Sequence, residues 1–214
     1  MRARLFLITP REIDLSTYPA ELEAALSAGD VATLLIAPEV TSGAQLQRIA
    51  ETLVPIAQAH DVAAMVVDDS RIMGRSKADG VQVEAGGAEA LKEAIETLQP
   101  KSIVGAGNLR TRHEAMDAGE AGVDYVFFGL IDLAESEEPH RKTLDLGAWW
   151  ASLFEPPCVL LAGTTLESVR VCAETGADFV AVRSAVWSHP DGAGAAIKAI
   201  NALLDEVAAQ HPED

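Results

Sequence analysis

Cysteine and long apolar runs are scarce in this sequence, and each scarcity excludes a class of protein. The 214 residues include only two cysteines, Cys158 and Cys172. They have neither the spacing of a metal site nor the density of a disulfide scaffold, so we expect buried thiols in a reducing compartment. No segment approaches the roughly 20 apolar residues of a membrane span, and the apolar stretch near the N-terminus is too short for a signal peptide. We expect a cytoplasmic protein.

Positive charge is also scarce. The chain has 16 lysines and arginines against 33 aspartates and glutamates, which gives a formal net charge of −17. A field of that sign repels nucleic acid and anionic membrane surfaces, so we expect neither as a partner. It also repels phosphorylated metabolites, and a phosphorylated ligand would therefore need local hydrogen-bond donors.

Apolar residues make up 49% of the chain, which fits a globular protein with one large domain over residues 1–214. Short apolar runs alternate with helix-type segments, and most runs are continuously apolar, as in parallel strands covered by helices. The predicted strands are Arg4–Thr9, Thr33–Ala37, Ala63–Val67, Gly80–Val83, Ser102–Gly105, Tyr125–Phe128, Cys158–Leu161 and Phe179–Val182. Predicted helices include Ala44–Ala59, Ala88–Leu98, Thr111–Gly119 and Leu166–Thr175, with Thr111 and Thr165 as candidate N-caps.

Eight such units in this length predict a single (β/α)₈ TIM barrel of the α/β class. An open doubly wound sheet is the alternative, but the first strand is followed by "TPREID" rather than a G-x-G-x-x-G turn. Three strands are each preceded by an aspartate, Asp79, Asp124 or Asp178. We expect these carboxylates to accept hydrogen bonds from loop amides rather than to act as catalytic acids.

The ends of strands seven and eight carry small, hydrogen-bonding residues. Gly163 and Thr164 follow the seventh strand, and Arg183 and Ser184 follow the eighth. Because loops at these two strand ends often bind phosphate in such barrels, the four residues predict a phosphate site. Arg183 would add a charge-assisted contact. In the alternative interpretation, Gly163 is a turn glycine and Arg183 a solvated charge.

Several segments together resemble the thiamine phosphate synthase family, which includes the related thiazole tautomerases. They are "RLFLITP", "VVDDSR", "ADGVQV", "GVDYVFFG", "LLAGTT" and "GADFVAVRSAV", in the family's order over nearly the whole chain. The resemblance implies a TIM barrel that joins a pyrimidine methyl diphosphate to a thiazole phosphate and releases pyrophosphate. It also implies Mg²⁺ as cofactor, small phosphorylated metabolites as ligands, and a thiazole phosphate site at the ends of strands seven and eight.

The positions that serve the diphosphate in this family are mostly changed here. Asp69 matches a magnesium-binding carboxylate, while the arginine that follows it in the family is Ser70, with Arg71 next door as a substitute. A diphosphate-binding loop after strand six is replaced by residues 130–142, in which Lys142 could still reach an anion. The other family positions occupied by different residues are Ile36, Pro38, Val40, Glu84, Gly87, Gly107 and Leu130.

Three hypotheses follow from these differences. The first is a synthase-like barrel, a pseudoenzyme that binds a phosphorylated ligand with weak or absent synthase activity. Its alternative is a functional thiamine phosphate synthase, a transferase that works with substitute residues. The third is a different enzyme that uses Asp68, Asp69 and Glu84 as acidic groups.

Homo-oligomerisation is a further expectation, since Trp149, Trp150 and Trp187 could lie at an interface, although each could equally anchor the core.

Overall fold

Eight parallel strands close into a barrel in the computed structural model, which describes residues 2–40 and 42–210. Each strand pairs with the next along the chain, and the last pairs with the first. The prediction of a (β/α)₈ barrel is confirmed. The strands are β1 (Arg4–Ile8), β2 (Thr33–Ile36), β3 (Ala63–Val67), β4 (Gly80–Val83), β5 (Ile103–Ala106), β6 (Tyr125–Phe128), β7 (Cys158–Leu161) and β8 (Phe179–Val182).

Helices follow the strands and form the outer layer. They are α1 (Tyr18–Leu26), α2 (Gly43–Ala59), α3 (Ser70–Ser76), α4 (Gly87–Leu98), α5 (Arg112–Ala121), α6 (Arg141–Ala151), α7 (Leu166–Ala173), α8 (Ser184–Trp187) and α9 (Ala193–Gln210). The predicted caps are confirmed. The Thr111 side chain accepts from Glu114 N, and the Thr165 side chain accepts from Ser168 N.

Strand β5 differs from its prediction by one residue at each end. It runs from Ile103 to Ala106 rather than from Ser102 to Gly105, because Gly80 of β4 pairs with Ile103 and Val83 pairs with Ala106. The neighbouring strand thus sets the register of β5, and the shift brings Ala106 into the ladder.

The three aspartates before strands accept hydrogen bonds from backbone amides, but these amides belong to strands and not to loops as predicted. Asp79 Oδ2 accepts from Ala64 N at 2.7 Å, and Asp124 Oδ2 accepts from Val104 N at 2.8 Å. Asp178 Oδ2 accepts from Cys158 N, also at 2.8 Å. Each carboxylate satisfies a strand amide, so these residues fix strand ends and are not candidates for catalysis.

Two separate clusters make up the core. The larger lies between the outer faces of the strands and the helices, and the smaller fills the barrel interior. Within the interior, the ring of Phe6 contacts those of Tyr125 and Phe127 edge to face, at centroid distances of 5.7 and 5.8 Å. Gly105 makes room for this packing, because a Cβ there would overlap the Tyr125 ring.

Trp150, Trp187 and both cysteines have roles within the fold of the single chain. Trp150 is fully buried and its indole N–H donates to Pro156 O, while that of Trp187 donates to Ile8 O. Both cysteines are buried and free, and burial raises the pKa of each thiol to about 12. Self-association stays a prediction, and Trp150 does not support it because its side chain is fully buried. Across residues 2–40 and 42–210, no helix has the length and apolarity needed to cross a bilayer.

We predict that Gly105→Ala destabilises the protein by about 1–3 kcal/mol, because the new methyl group must displace the Tyr125 ring from a packed interior. Gly74→Ala is the matched control, since a Cβ at position 74 meets nothing within 4 Å. Gly74 is exposed and lies in the middle of α3, so alanine there should leave stability unchanged or raise it slightly. Urea unfolding of both variants measures the difference, and equal midpoints would contradict this account of the interior.

Candidate functional site

The floor of the barrel mouth is built by inward-facing residues of β4 and β6 and by the residues that directly follow β4 and β5. Tyr125 Oη donates to Gln82 Oε1 at 2.9 Å, and Gln82 Nε2 donates to Glu84 Oε1. Gly107 makes room for the end of this chain, because a Cβ at position 107 would overlap the Glu84 carboxyl group. A polar network therefore runs from the barrel interior to the half-buried carboxyl of Glu84.

Burial raises the pKa of Glu84 to about 7, and the hydrogen bond from Gln82 opposes part of this rise. The carboxylates of Asp68 and Asp132 add to it by repulsion. Glu84 can therefore exchange a proton near neutral pH, which makes it a titratable group at the mouth of the barrel. The sequence indicated an acidic residue here, but only the packing against Gly107 shows that it is buried.

The predicted phosphate residues lie at one rim, since β7 and β8 are neighbouring parallel strands. The segment that joins β6 to α6, residues 129–140, covers them, and we call it the mouth loop. Ser184 N donates to Glu135 Oε1 at 3.2 Å, and Ser184 Oγ donates to Glu135 Oε2. Thr164 N donates to Ser136 O at 2.9 Å. The backbone donors predicted for phosphate thus face oxygen atoms of the mouth loop.

Arg183 is not a solvated charge, because its exposed fraction is only 4%. Its Nε donates to Thr9 O at 3.1 Å and its Nη1 to Ile131 O at 2.9 Å. The guanidinium therefore holds main-chain carbonyls of the rim and of the mouth loop in this structure. Burial lowers the pKa of Arg183, with a further contribution from Arg11. Direct contact between Arg183 and a phosphate stays a prediction.

Arg11, which sequence reasoning missed, joins Arg183 at the rim. Its Nη2 donates to Ile131 O at 3.0 Å and to Leu133 O. The available signal was its position shortly after β1, since strand ends of a closed barrel share one rim. Two arginines from opposite ends of the chain therefore hold the same loop.

Lys142 and Arg71, predicted for the diphosphate side, are not brought together. Lys142 lines a cavity of about 310 Å³ beneath the mouth loop, together with Arg110 and His140. Arg71 lies in the exposed first turn of α3 and is not among the residues that line this cavity. Arg110, which the sequence did not single out, lines the same cavity as Lys142. It supplies there the second cationic side chain that the sequence predicted from Arg71.

Asp69, the predicted magnesium ligand, is the N-cap of α3. Its Oδ1 accepts from Arg71 N at 3.0 Å and from Ile72 N at 2.8 Å. Asp68 Oδ1 likewise accepts from Glu84 N and Ala85 N. Over the described part of the chain, no group of three or more histidine, cysteine, aspartate or glutamate side chains is arranged to hold a metal ion. The residues present do not form a ready-made magnesium site, and magnesium binding stays a prediction.

Comparison with known proteins adds to this geometry. A family model described as "Thiamine monophosphate synthase" matches residues 5–186. The thiamine-phosphate synthase of Rhodospirillum centenum is 38% identical over 205 residues, which cover 94% of this chain and 97% of that protein. The thiamine-phosphate synthase of Hyphomonas neptunium is 37% identical over 213 residues, covering 97% of this chain and 96% of that protein.

A solved structure shares the fold over nearly the same span. The thiamine phosphate pyrophosphorylase from Pyrococcus furiosus superposes with a TM-score of 0.74 and is 25% identical. The match covers 95% of this chain and 96% of that one. The barrel, and not just a group of local motifs, is therefore shared from end to end.

The raised pKa of Glu84 gives a prediction for stability. Between its ordinary value of 4.5 and about 7, the folded protein keeps a proton that the unfolded chain has lost. The contribution of Glu84 to stability is therefore fully present below pH 4.5 and is lost as pH rises through 7. The side chain of Glu84→Gln does not titrate. We therefore predict that the melting temperature of this variant, relative to that of wild type, rises by several degrees as the pH increases from 4 to 8.

The matched control is Glu93→Gln, at an exposed position of α4. Its melting temperature should follow that of the wild-type protein at every pH. Differential scanning calorimetry across the pH series measures both variants. A constant difference between Glu84→Gln and wild type would mean that this carboxyl group titrates normally in the folded protein.

Proposed function

Because the chain belongs to the thiamine monophosphate synthase family, we propose that it is a functional thiamine phosphate synthase. It would transfer the pyrimidine methyl group from its diphosphate to thiazole phosphate and release pyrophosphate. The observation that carries this proposal is the end-to-end relation to proteins named thiamine-phosphate synthase, at 37–38% identity over 94–97% of the chain. That relation favours an enzyme with substitute residues over the expectation of weak or absent activity.

Thiazole phosphate is placed at the ends of β7 and β8. Support comes from Ser184, whose backbone N–H and hydroxyl group hold a carboxylate in this structure. Thr164 N points at a carbonyl oxygen on the same rim. Such donors belong largely to the backbone, so substitution of side chains does not remove them. The positions of the N–H groups determine which anion fits the site.

The departing diphosphate is placed in the cavity beneath the mouth loop. Arg110 and Lys142 line it and can supply positive charge for the departing diphosphate, and His140 lines it as well. Glu135, Leu161 and Ala162 also line this cavity. Since Glu135 contacts Ser184 and Ala162 precedes Gly163, the diphosphate would lie next to the thiazole phosphate, as transfer between two bound substrates requires.

Electrostatic stabilisation carries the proposed mechanism. Charge separates as the pyrimidine carbon leaves the diphosphate, so fixed cations beside the departing group stabilise the transition state more than the ground state. The thiazole nitrogen then attacks the pyrimidine carbon without help from a general base. Magnesium, when bound with the diphosphate, supplies additional neutralising charge. The chain's own share in this step is the charge of Arg110 and Lys142.

We predict that Lys142→Ala lowers kcat by about 10²–10³, the usual effect of removing one fixed donor from a developing anion. Arg110→Ala should act in the same direction because it lines the same cavity. The matched control is Arg141→Ala, whose side chain is 93% exposed and faces Asp145. It removes the same charge one residue away and should keep wild-type kinetics.

The assay supplies both synthase substrates with magnesium and measures thiamine phosphate. Wild-type protein that makes no thiamine phosphate would overturn the proposed function and return the chain to the role of a ligand-binding pseudoenzyme. Equal losses in Lys142→Ala and Arg141→Ala would show that general positive charge matters and that the cavity beneath the mouth loop is not the diphosphate site.

A further inference from the structure

The mouth loop is acidic, yet it lies on the rim where an anion is expected. Its carboxylates are those of Asp132, Glu135, Glu137 and Glu138. Near its start, Ile131 is only 8% exposed and packs into the cluster that fills the barrel interior. The loop therefore closes the mouth with an apolar side chain and places its negative charges around the rim.

The Glu135 carboxylate occupies the donors that the phosphate site offers. Both of its oxygens accept from Ser184, one from the backbone N–H and one from the hydroxyl group. A phosphate oxygen is an acceptor of the same sign and needs the same two donors. Carboxylate and phosphate therefore cannot hold the Ser184 donors at the same time.

The residues that follow Glu135 cover the other half of the phosphate site. Ser136 O accepts from Thr164 N at 2.9 Å, and Glu137 O accepts from Thr165 Oγ1 at 3.1 Å. A Cβ at Gly163 would overlap both of these carbonyl groups. The open face of Gly163, which would admit a phosphate, is thus filled by the chain's own backbone.

The mouth loop is held firmly at its base and more lightly at its tip. Arg11 and Arg183 both donate to Ile131 O, and Ile131 itself is buried. The segment of residues 135–137 is held by hydrogen bonds to rim residues, and its side chains are half-buried or exposed. The tip can therefore leave the rim while Ile131 keeps its place, with little apolar surface exposed by the movement.

We propose that residues 135–137 act as an internal competitor for the phosphate site, with Glu135 in the place of the phosphate. A phosphorylated ligand must displace this segment before it can reach Ser184 and Thr164. Glu135 then sets the affinity for the phosphorylated substrate. This inference rests on the proposed function, which assigns the phosphate site to the ends of β7 and β8.

Titration with inorganic phosphate tests the proposal. We compare wild type, Glu135→Gln and Glu135→Ala by isothermal titration calorimetry at constant ionic strength. Loss of the competing carboxylate should lower the Kd for phosphate about tenfold in Glu135→Ala, the effect of one charge-assisted hydrogen bond. Glu135→Gln should bind more tightly than wild type as well, since a neutral amide competes less well for donors than a carboxylate does.

Glu137→Gln is the matched control. It removes the same charge from the same segment, but its side chain is exposed and only its backbone oxygen contacts the rim. Its Kd should stay within about twofold of wild type, because exposed charges are screened. If Glu137→Gln also bound phosphate about ten times more tightly than wild type, the loss of one negative charge would explain the effect. That result would overturn the role of Glu135.

Kinetics supply the second measurement. In Glu135→Ala, KM for thiazole phosphate should fall about tenfold, in proportion to the phosphate Kd. Unchanged affinity in both Glu135 variants would contradict the internal competitor and leave the proposed function intact. If no variant, wild type included, binds phosphate, then the phosphate site at the ends of β7 and β8 is wrong and the internal competitor fails with it, while the synthase assay still decides the proposed function.

Discussion

Pairing of β1 with β8 is the constraint on which the rest of this molecule depends. It brings Phe6 opposite Ala181 and Leu7 opposite Val182, and so closes the sheet on itself. Closure places all eight strand ends on one rim, which explains how residues 174 positions apart meet when Arg183 Nε donates to Thr9 O. The floor, the rim and the arginines that hold the mouth loop are all consequences of that closed ladder.

Closure also limits the volume inside the barrel, and large interior side chains therefore pack against positions that have none. The Tyr125 ring lies where Gly105 has no side chain, and the Glu84 carboxyl lies where Gly107 has none. The large side chain at position 84 and the missing side chain at position 107 therefore compensate each other in volume. A carboxyl group packed in this way loses hydration, and its raised pKa is therefore a result of the packing.

Local patterns in the sequence predict the scaffold well and the covering of the site poorly. Continuous apolar runs place the strands to within one residue at each end, because burial on both faces leaves no other pattern. The mouth loop carries no such signal, since a run of charges normally indicates a solvated segment. Arg183 shows the same limit, as its partners are backbone carbonyls, and only the closed barrel determines which carbonyls lie near it.

The net charge of this protein opposes the proposed phosphorylated ligand, and the proposed exchange at the rim reconciles the two. A chain with a charge of −17 opposes the approach of any phosphate, so the rim must offer donors that are already oriented. Donors left without partners in a half-buried site are costly, and the Glu135 carboxylate supplies a partner from within the chain. In the proposed exchange, a phosphate replaces the Glu135 carboxylate on the same N–H and hydroxyl groups, and Glu135 returns to water. Such an exchange would keep the donors satisfied throughout, and an acidic protein could then maintain an anion site without a large excess of arginine or lysine around it.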